Sequence, residues 1–249
     1  AYQFNNTEHA ASLFGLKEFG NIYSRLGNPT VGALEARLTD LEEGAMCVAL
    51  SSGTSAVMYS LINIMSQGDN FVTANQLYGG TYTMFDNILP EYGIDSKKVD
   101  ITDLKAVEDA IDDKTRAIYC ETITNPGLVV ADVTALSEIA HSRGIPLIVD
   151  ATFTTSAIQK SFEFGADIVV YSLTKWMSGH GRVIAGAVIE KGGFDWGNGN
   201  FPLYDKPDTS YGGMRWGHDL GDLSSVAYSL RLRTVPLRNL GANMSPETA

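Results

Sequence analysis

Between residues 46 and 189 short apolar runs alternate with stretches whose apolar residues recur at helical spacing. Met46–Leu50, Phe71–Ala74, Ala117–Glu121, Leu147–Val149, Ile168–Tyr171 and Ile184–Ile189 are rich in β-branched and aromatic residues. Such runs read as buried strands. A further short strand is predicted near Lys97–Val99. Val31, Leu34, Leu38 and Leu41 share one helical face, which predicts a helix over 31–43 with Pro29 in its first turn and Gly44 as its stop. Other helices are predicted from Gly53 to about Met65, from Tyr78 to Leu89, over Asp103–Ile111 with Asp103 as N-cap, and over Val133–Ser142. Strands and helices in alternation, with the strands apolar on both faces, predict an α/β fold with a mainly parallel central sheet flanked by helices.

The flanks are patterned differently. Glu8–Phe19 is a weak helical stretch. Residues 192–218 are rich in glycine and aromatics without periodicity, which predicts a packed loop rather than an element. A helix resumes over Asp219–Arg233, where Leu223, Val226, Leu230 and Arg233 share a face. Ser245-Pro246-Glu247 reads as the start of another. There is no internal repeat.

The chain has 249 residues, 44% of them hydrophobic and 19% charged. This is globular composition for one large domain, or one with an appendage. The formal net charge of −11 argues against nucleic acid or an anionic membrane as the main partner. Cys47 and Cys120 lie inside apolar runs with no metal-ligand spacing, so they are expected to be buried reduced thiols of a cytoplasmic protein. No apolar run has membrane-spanning length and no signal peptide is visible. A first residue other than Met predicts residues in front, and the end at NMSPETA reads as a truncation.

The chemistry centres on DIVVYSLTKWMSGHG at 167–181. A buried strand gives way to Ser172 and Thr174 around Lys175. A lysine there is expected to be partly desolvated, which frees its amine to attack an aldehyde such as pyridoxal 5'-phosphate (PLP). By itself Lys175 reads more readily as a surface loop lysine. Asp150 closes the preceding strand, so both side chains fall at carboxyl ends of parallel strands, where open α/β sheets bind ligands. A carboxylate there suits a protonated pyridine nitrogen; a helix cap is the alternative. Ser51-Ser52-Gly53-Thr54 joins a strand to a helix and can form an anion seat. Tyr78 could stack on a flat ring, and Asn125 could bond a ring oxygen. Arg25, beside Tyr23, suits a phosphate. Ordinary structural roles stay open for each. His180 has no sequence partner and is given no role.

NIYSRLGNPT, LSSGTSA, LYGGTY, ETITNPG, LIVDATF and YSLTKWMSGHG occur in one order along nearly the whole chain. Together they resemble the PLP-dependent Cys/Met metabolism family, fold type I. The lead-in EHAASLFGLKEFGNIYSR and the stretch GGFDWGNGNFPLYDKPDTSYGG are similar to its O-acetylhomoserine sulfhydrylase branch. The resemblance implies that Lys175 carries PLP in a Schiff base, Asp150 pairs with the ring nitrogen and Tyr78 stacks on the ring. It implies that Ser52, Gly53, Thr54, Ser172 and Thr174 hold the phosphate and that Asn125 lies near the ring hydroxyl. Tyr23 and Arg25 would reach the phosphate of a neighbouring subunit in a homo-oligomer, commonly a dimer of dimers. Residues 1–30 would be that arm, 31–218 the PLP-binding domain, and 219–249 a linker helix and the start of a C-terminal domain. Ala151 stands where the family usually has Asn, and Gly212 where the branch often has His. The C-terminal domain that supplies an arginine for the substrate carboxylate is not in this chain. The implied reaction is γ-replacement: O-acetyl-L-homoserine plus sulfide or a thiol, giving homocysteine or methionine and acetate. Two alternatives are a methionine γ-lyase type of C–S lyase and a PLP-binding chain without catalysis.

Overall fold

The structure, a computed structural model, describes residues 1–249. Seven strands form one sheet: β1 (Met46–Leu50), β2 (Asn70–Ala74), β3 (Asp95–Val99), β4 (Thr115–Glu121), β5 (Leu147–Asp150), β6 (Ile168–Ser172) and β7 (Gly186–Glu190). Their order is β1-β7-β6-β5-β4-β2-β3. The pairs from β6 through β5, β4 and β2 to β3 are parallel. Only β7 runs the other way, antiparallel to both β1 and β6. The main helices are α1 (Thr7–Phe14), α2 (Pro29–Glu42), α3 (Gly53–Ile62), α4 (Gly79–Thr83), α5 (Leu104–Ala110) and α6 (Val133–Ser142). The sheet strands and the inner faces of these helices share one continuous apolar core. No helix is long and apolar enough to cross a membrane.

Most expected elements form where the apolar pattern puts them, and the exceptions have local causes. Helix α2 starts as expected, with Asn28 accepting the Thr30 N–H at 3.0 Å and Pro29 in the first turn. It ends at Glu43, which adopts the left-handed conformation (φ 58°) itself. Gly44 is needed for a different reason. A Cβ there would lie 2.8 Å from Ile189 and 3.0 Å from the Glu190 carbonyl, so this glycine lets α2 run directly onto β7. The helix expected over Glu8–Phe19 stops at Phe14, capped by Gly15. The one expected over Tyr78–Leu89 is regular only to Thr83; it then widens over Met84–Ile88 and tightens over Leu89–Tyr92, where Pro90 cannot donate an N–H.

The Asp219–Arg233 helix is likewise broken. It begins as a 3₁₀ segment over Gly221–Val226, becomes α-helical over Ala227–Leu232, and widens again over Arg233–Leu237, which contains Pro236. Arg233 is not one more position on an apolar face. Its guanidinium pairs with Glu35 at 2.8 Å and donates to the Leu26 and Cys47 carbonyls, while Glu35 accepts the Ala49 N–H. One half-buried ion pair thus ties the arm, α2, β1 and the last helix together. The chain then returns to the sheet, where Ser51 N–H donates to the Ala242 carbonyl at 2.7 Å. Ser245-Pro246-Glu247 forms a turn, closed by Thr248 N–H on the Ser245 carbonyl, and not a helix. Residues 192–218 are packed as expected: Trp196, Phe201, Tyr204 and Trp216 are fully buried. Cys47 and Cys120 are buried and unpaired, and burial pushes both thiols up.

Candidate functional site

A cleft of about 700 Å³ opens at the carboxyl ends of the parallel strands. It is lined by Ser52, Gly53, Thr54, Tyr78, Asn125, Asp150, Ser172, Thr174 and Lys175 among others. The fold therefore brings together nine of the singled-out residues from five separate segments.

One wall is the start of α3. The Ser52 hydroxyl caps the helix by accepting the Ser55 N–H at 3.0 Å. The N–H groups of Gly53 and Thr54 have no acceptor within the chain and face outward, as the first donors of a helix do. A Cβ on Gly53 would lie 2.5 Å from that of Ser172, so glycine alone lets the helix start meet the end of β6. Gly186 does the same from the other side: a Cβ there would lie 2.1 Å from the Ser52 carbonyl oxygen. The Ser172 N–H is held by the Thr152 hydroxyl at 2.8 Å. Unpaired N–H groups, a helix start and hydroxyls make an anion seat.

The cleft floor carries two carboxylates side by side, since Glu121 and Asp150 are register partners at the ends of β4 and β5. Asp150 accepts from the Thr152 N–H at 2.9 Å and from the Tyr119 hydroxyl at 3.2 Å. Burial raises its pKa against these bonds, and no cation of the chain counters it. Glu121 is only 5% exposed. It accepts the Tyr78 N–H at 2.7 Å with one oxygen and the Asn125 N–H at 2.9 Å with the other. Burial pushes it up to about 7, and the Asp150 charge adds to this.

Lys175 lies in the loop between β6 and β7. Contrary to the expectation of partial desolvation, its side chain is exposed on the cleft wall and has no hydrogen-bond or ion-pair partner. The reason is the loop around it, whose tip is held open by Gly179 and Gly181 at positive φ. The Tyr78 ring is 48% exposed and lies over Gly80, where a Cβ would come within 2.7 Å of the ring. The Thr174 hydroxyl is engaged at the base of the lysine loop. It accepts the Ala185 N–H at 3.0 Å and donates to the Ala185 carbonyl at 3.2 Å. Tyr23 and Arg25 are not brought to the cleft of their own chain. The guanidinium lies over the Tyr23 ring, 5.2 Å from its centroid, on the N-terminal arm.

Sequence reasoning missed Glu121, Thr152 and Gly186. Glu121 carried the same signal as Asp150, an acid closing an apolar strand. The other two act through strand pairing and had no local signal. The donor set fits PLP: an anion seat for the phosphate, an aromatic wall, a free amine, and a half-buried carboxylate lacking a cationic partner. No group of three or more His, Cys, Asp or Glu side chains is placed to hold a metal ion.

Comparison with known proteins gives the family and the cofactor. The chain is 43% identical along its whole length to an O-acetyl-L-homoserine sulfhydrylase of Leptospira meyeri, spanning 58% of that protein. It is 42% identical over 99% of its length to a homocysteine synthase of Schizosaccharomyces pombe, spanning 57% of it. A solved Campylobacter jejuni structure described as an O-acetylhomoserine (thiol)-lyase, containing a pyridoxyl-lysine phosphate, superposes with a TM-score of 0.95 at 39% identity. That match covers all of this chain and 61% of the other. The chain thus spans somewhat over half the length of the relatives it matches. Residues 1–249 match the family described as Cys/Met metabolism PLP-dependent enzymes, and the chain belongs to that fold type I family, with PLP as its cofactor.

Proposed function

We propose that the protein catalyses γ-replacement on O-acetyl-L-homoserine, with sulfide or a thiol entering and acetate leaving. The observation that carries this is the convergence of Lys175, Asp150 and the start of α3 on one cleft, in a chain whose relatives bear the names of that reaction. When bound, PLP supplies an electron sink that stabilises negative charge next to the amino-acid Cα.

The chain's residues supply the rest. The Gly53 and Thr54 N–H groups, with the Ser52 and Ser172 hydroxyls, bind the cofactor phosphate. Asp150 bonds the ring nitrogen and keeps its proton in place. The Tyr78 ring covers one face, and Asn125 orients the ring hydroxyl. Thr174 contributes by pinning the base of the lysine loop to Ala185, and a hydroxyl so engaged has no second proton to donate to a phosphate. The Lys175 amine would anchor the cofactor and, once free, would move protons at the substrate Cα and Cβ. Acetate departs from Cγ with its bonding pair and the sulfur nucleophile forms the new bond there. Tyr23 and Arg25, on an arm that turns away from its own cleft, serve the phosphate of a second copy, so the active unit is a homo-oligomer.

The test is product analysis with the purified PLP-loaded protein. Homocysteine and acetate, formed in equal amounts from O-acetylhomoserine and sulfide, are the expected products. Release of 2-oxobutyrate from methionine, with no homocysteine from the acetyl ester, would replace this reading with a C–S lyase. PLP binding without turnover of either would replace it with a non-catalytic role.

A further inference from the structure

Glu121 is buried at the floor of the cleft but its carboxylate bonds no side chain. Both oxygens go to backbone N–H groups in two separate loops, Tyr78 after β2 and Asn125 after β4. The two loops also touch directly, since a Cβ on Gly127 would run into the end of the Gln76 side chain. The Tyr78 loop is otherwise held before Tyr78, by buried Leu77 and by the Asn75 N–H on the Val99 carbonyl at 2.8 Å. Helix α4 begins at Gly79 without a side-chain cap, and the Tyr78 ring is about half exposed. The neighbouring Asp150 is free of this duty, as its oxygens are taken by Thr152 and Tyr119.

We propose that Glu121 is a positioning residue, a two-armed clamp that fixes the Tyr78 and Asn125 loops in register with each other across the cofactor ring. This rests on the reading of the cleft as the PLP site. The clamp needs two acceptors at once, which an ionised or protonated carboxyl provides and an amide does not. The carboxyl is kept there at a cost to the fold. Burial and Asp150 raise it to about 7, so above that pH the folded state carries a charge it disfavours. A group that weakens the fold while ordering two cleft loops is placed for the site.

Glu121→Gln tests this. One arm survives as a carbonyl; the other becomes an NH₂ facing an N–H donor, and that loop is released. The expected result at pH 8 is a melting temperature equal to or above that of the parent, faster hydrogen exchange at the Tyr78 or Asn125 amide, and a PLP dissociation constant raised about tenfold, as for loss of one bond to a charged group. Glu121→Asp, which keeps both acceptors on a shorter stem, should recover part of the affinity. Unchanged exchange at both amides with unchanged PLP affinity would overturn the clamp. So would a fall in melting temperature without a change in PLP affinity, since that marks a purely structural acid. A parent protein that does not bind PLP overturns the reading of the cleft, and the exchange data still decide whether the clamp exists.

Discussion

Two buried glutamates stand at opposite ends of the sheet and titrate alike, yet they are built into different kinds of surroundings. Glu121 ends β4 at the cleft. Glu190 ends β7, which runs backwards, so it lies at the other edge beside Met46 and Ile168. Each accepts two N–H bonds, Glu190 from the Trp196 indole at 3.3 Å and the Ser229 backbone at 2.9 Å. Burial lifts both to about 7. The difference lies in what the bonded groups belong to. Trp196 is 2% exposed and stacks on Tyr204 and Tyr228 with centroids 5.1 Å from each, so Glu190 closes a packed aromatic cluster. Glu121 holds two backbone N–H groups at the cleft, beside a Tyr78 ring that is about half exposed and a half-buried Asn125. A perturbed titration therefore does not mark a site by itself; the exposure of the partners separates the two ends.

Three measurements can break or sharpen this contrast. The largest effect belongs to the cleft. Lys175→Ala should lower turnover of O-acetylhomoserine with sulfide by about 10³-fold or more, while the melting temperature of the PLP-free protein stays put because the side chain bonds nothing in the fold. Normal turnover would remove Lys175 from the chemistry. Next comes the opposite end. Trp196→Ala should cost about 3–5 kcal/mol in urea unfolding through the cavity it leaves, with PLP affinity unchanged in the folded fraction. A cost below about 1 kcal/mol would mean that residues 192–218 do not act as packed structure.

The smallest effect joins both ends. Each glutamate starts from an ordinary value of 4.5 and rises on folding to about 7. Between these values the folded chain binds more protons than the unfolded one, so stability falls as pH rises through the window. Either Glu→Gln change should flatten that fall by up to about 3 kcal/mol, read from unfolding curves at pH 5 and pH 8. Only the Glu121 change should also weaken PLP. A Glu190→Gln protein with equally weakened PLP binding would erase the distinction between the two ends.

How much of this was legible follows from how local each signal is. Buried strands announce themselves as β-branched runs, and Asp150 and Lys175 were found because each sits where such a run breaks. Pro29 was placed in the first turn of α2 from its own fixed geometry, while the cap made by Asn28 went unread. What stayed hidden depends on neighbours that are distant in sequence. Gly44 reads as a helix stop and Gly186 as one more strand residue, yet Gly44 is small because β7 passes against it, and Gly186, the first residue of β7, because the Ser52 carbonyl does. Glu121 reads as a polar strand end until the Tyr78 loop is seen to fold back onto it. Arg233 completed an apolar face on paper, but the nearness of Glu35 decides its role. Burial of Lys175 was expected from the strand before it, whereas exposure was set by the glycines after it.

The antiparallel course of β7 has one more consequence. The lysine loop leaves the sheet at Ser172 and re-enters at Gly186, and these two residues are register partners in adjacent strands. Its ends are thus closed by the sheet and sealed again by the Thr174–Ala185 bonds, and the entropy of closing it is already spent. Lengthening its tip near Gly181, where added atoms meet open space, changes that entropy only logarithmically, by about 0.6 kcal/mol for a doubling. The mouth of the cleft is free to be rebuilt in length and shape while the amine at its foot stays anchored.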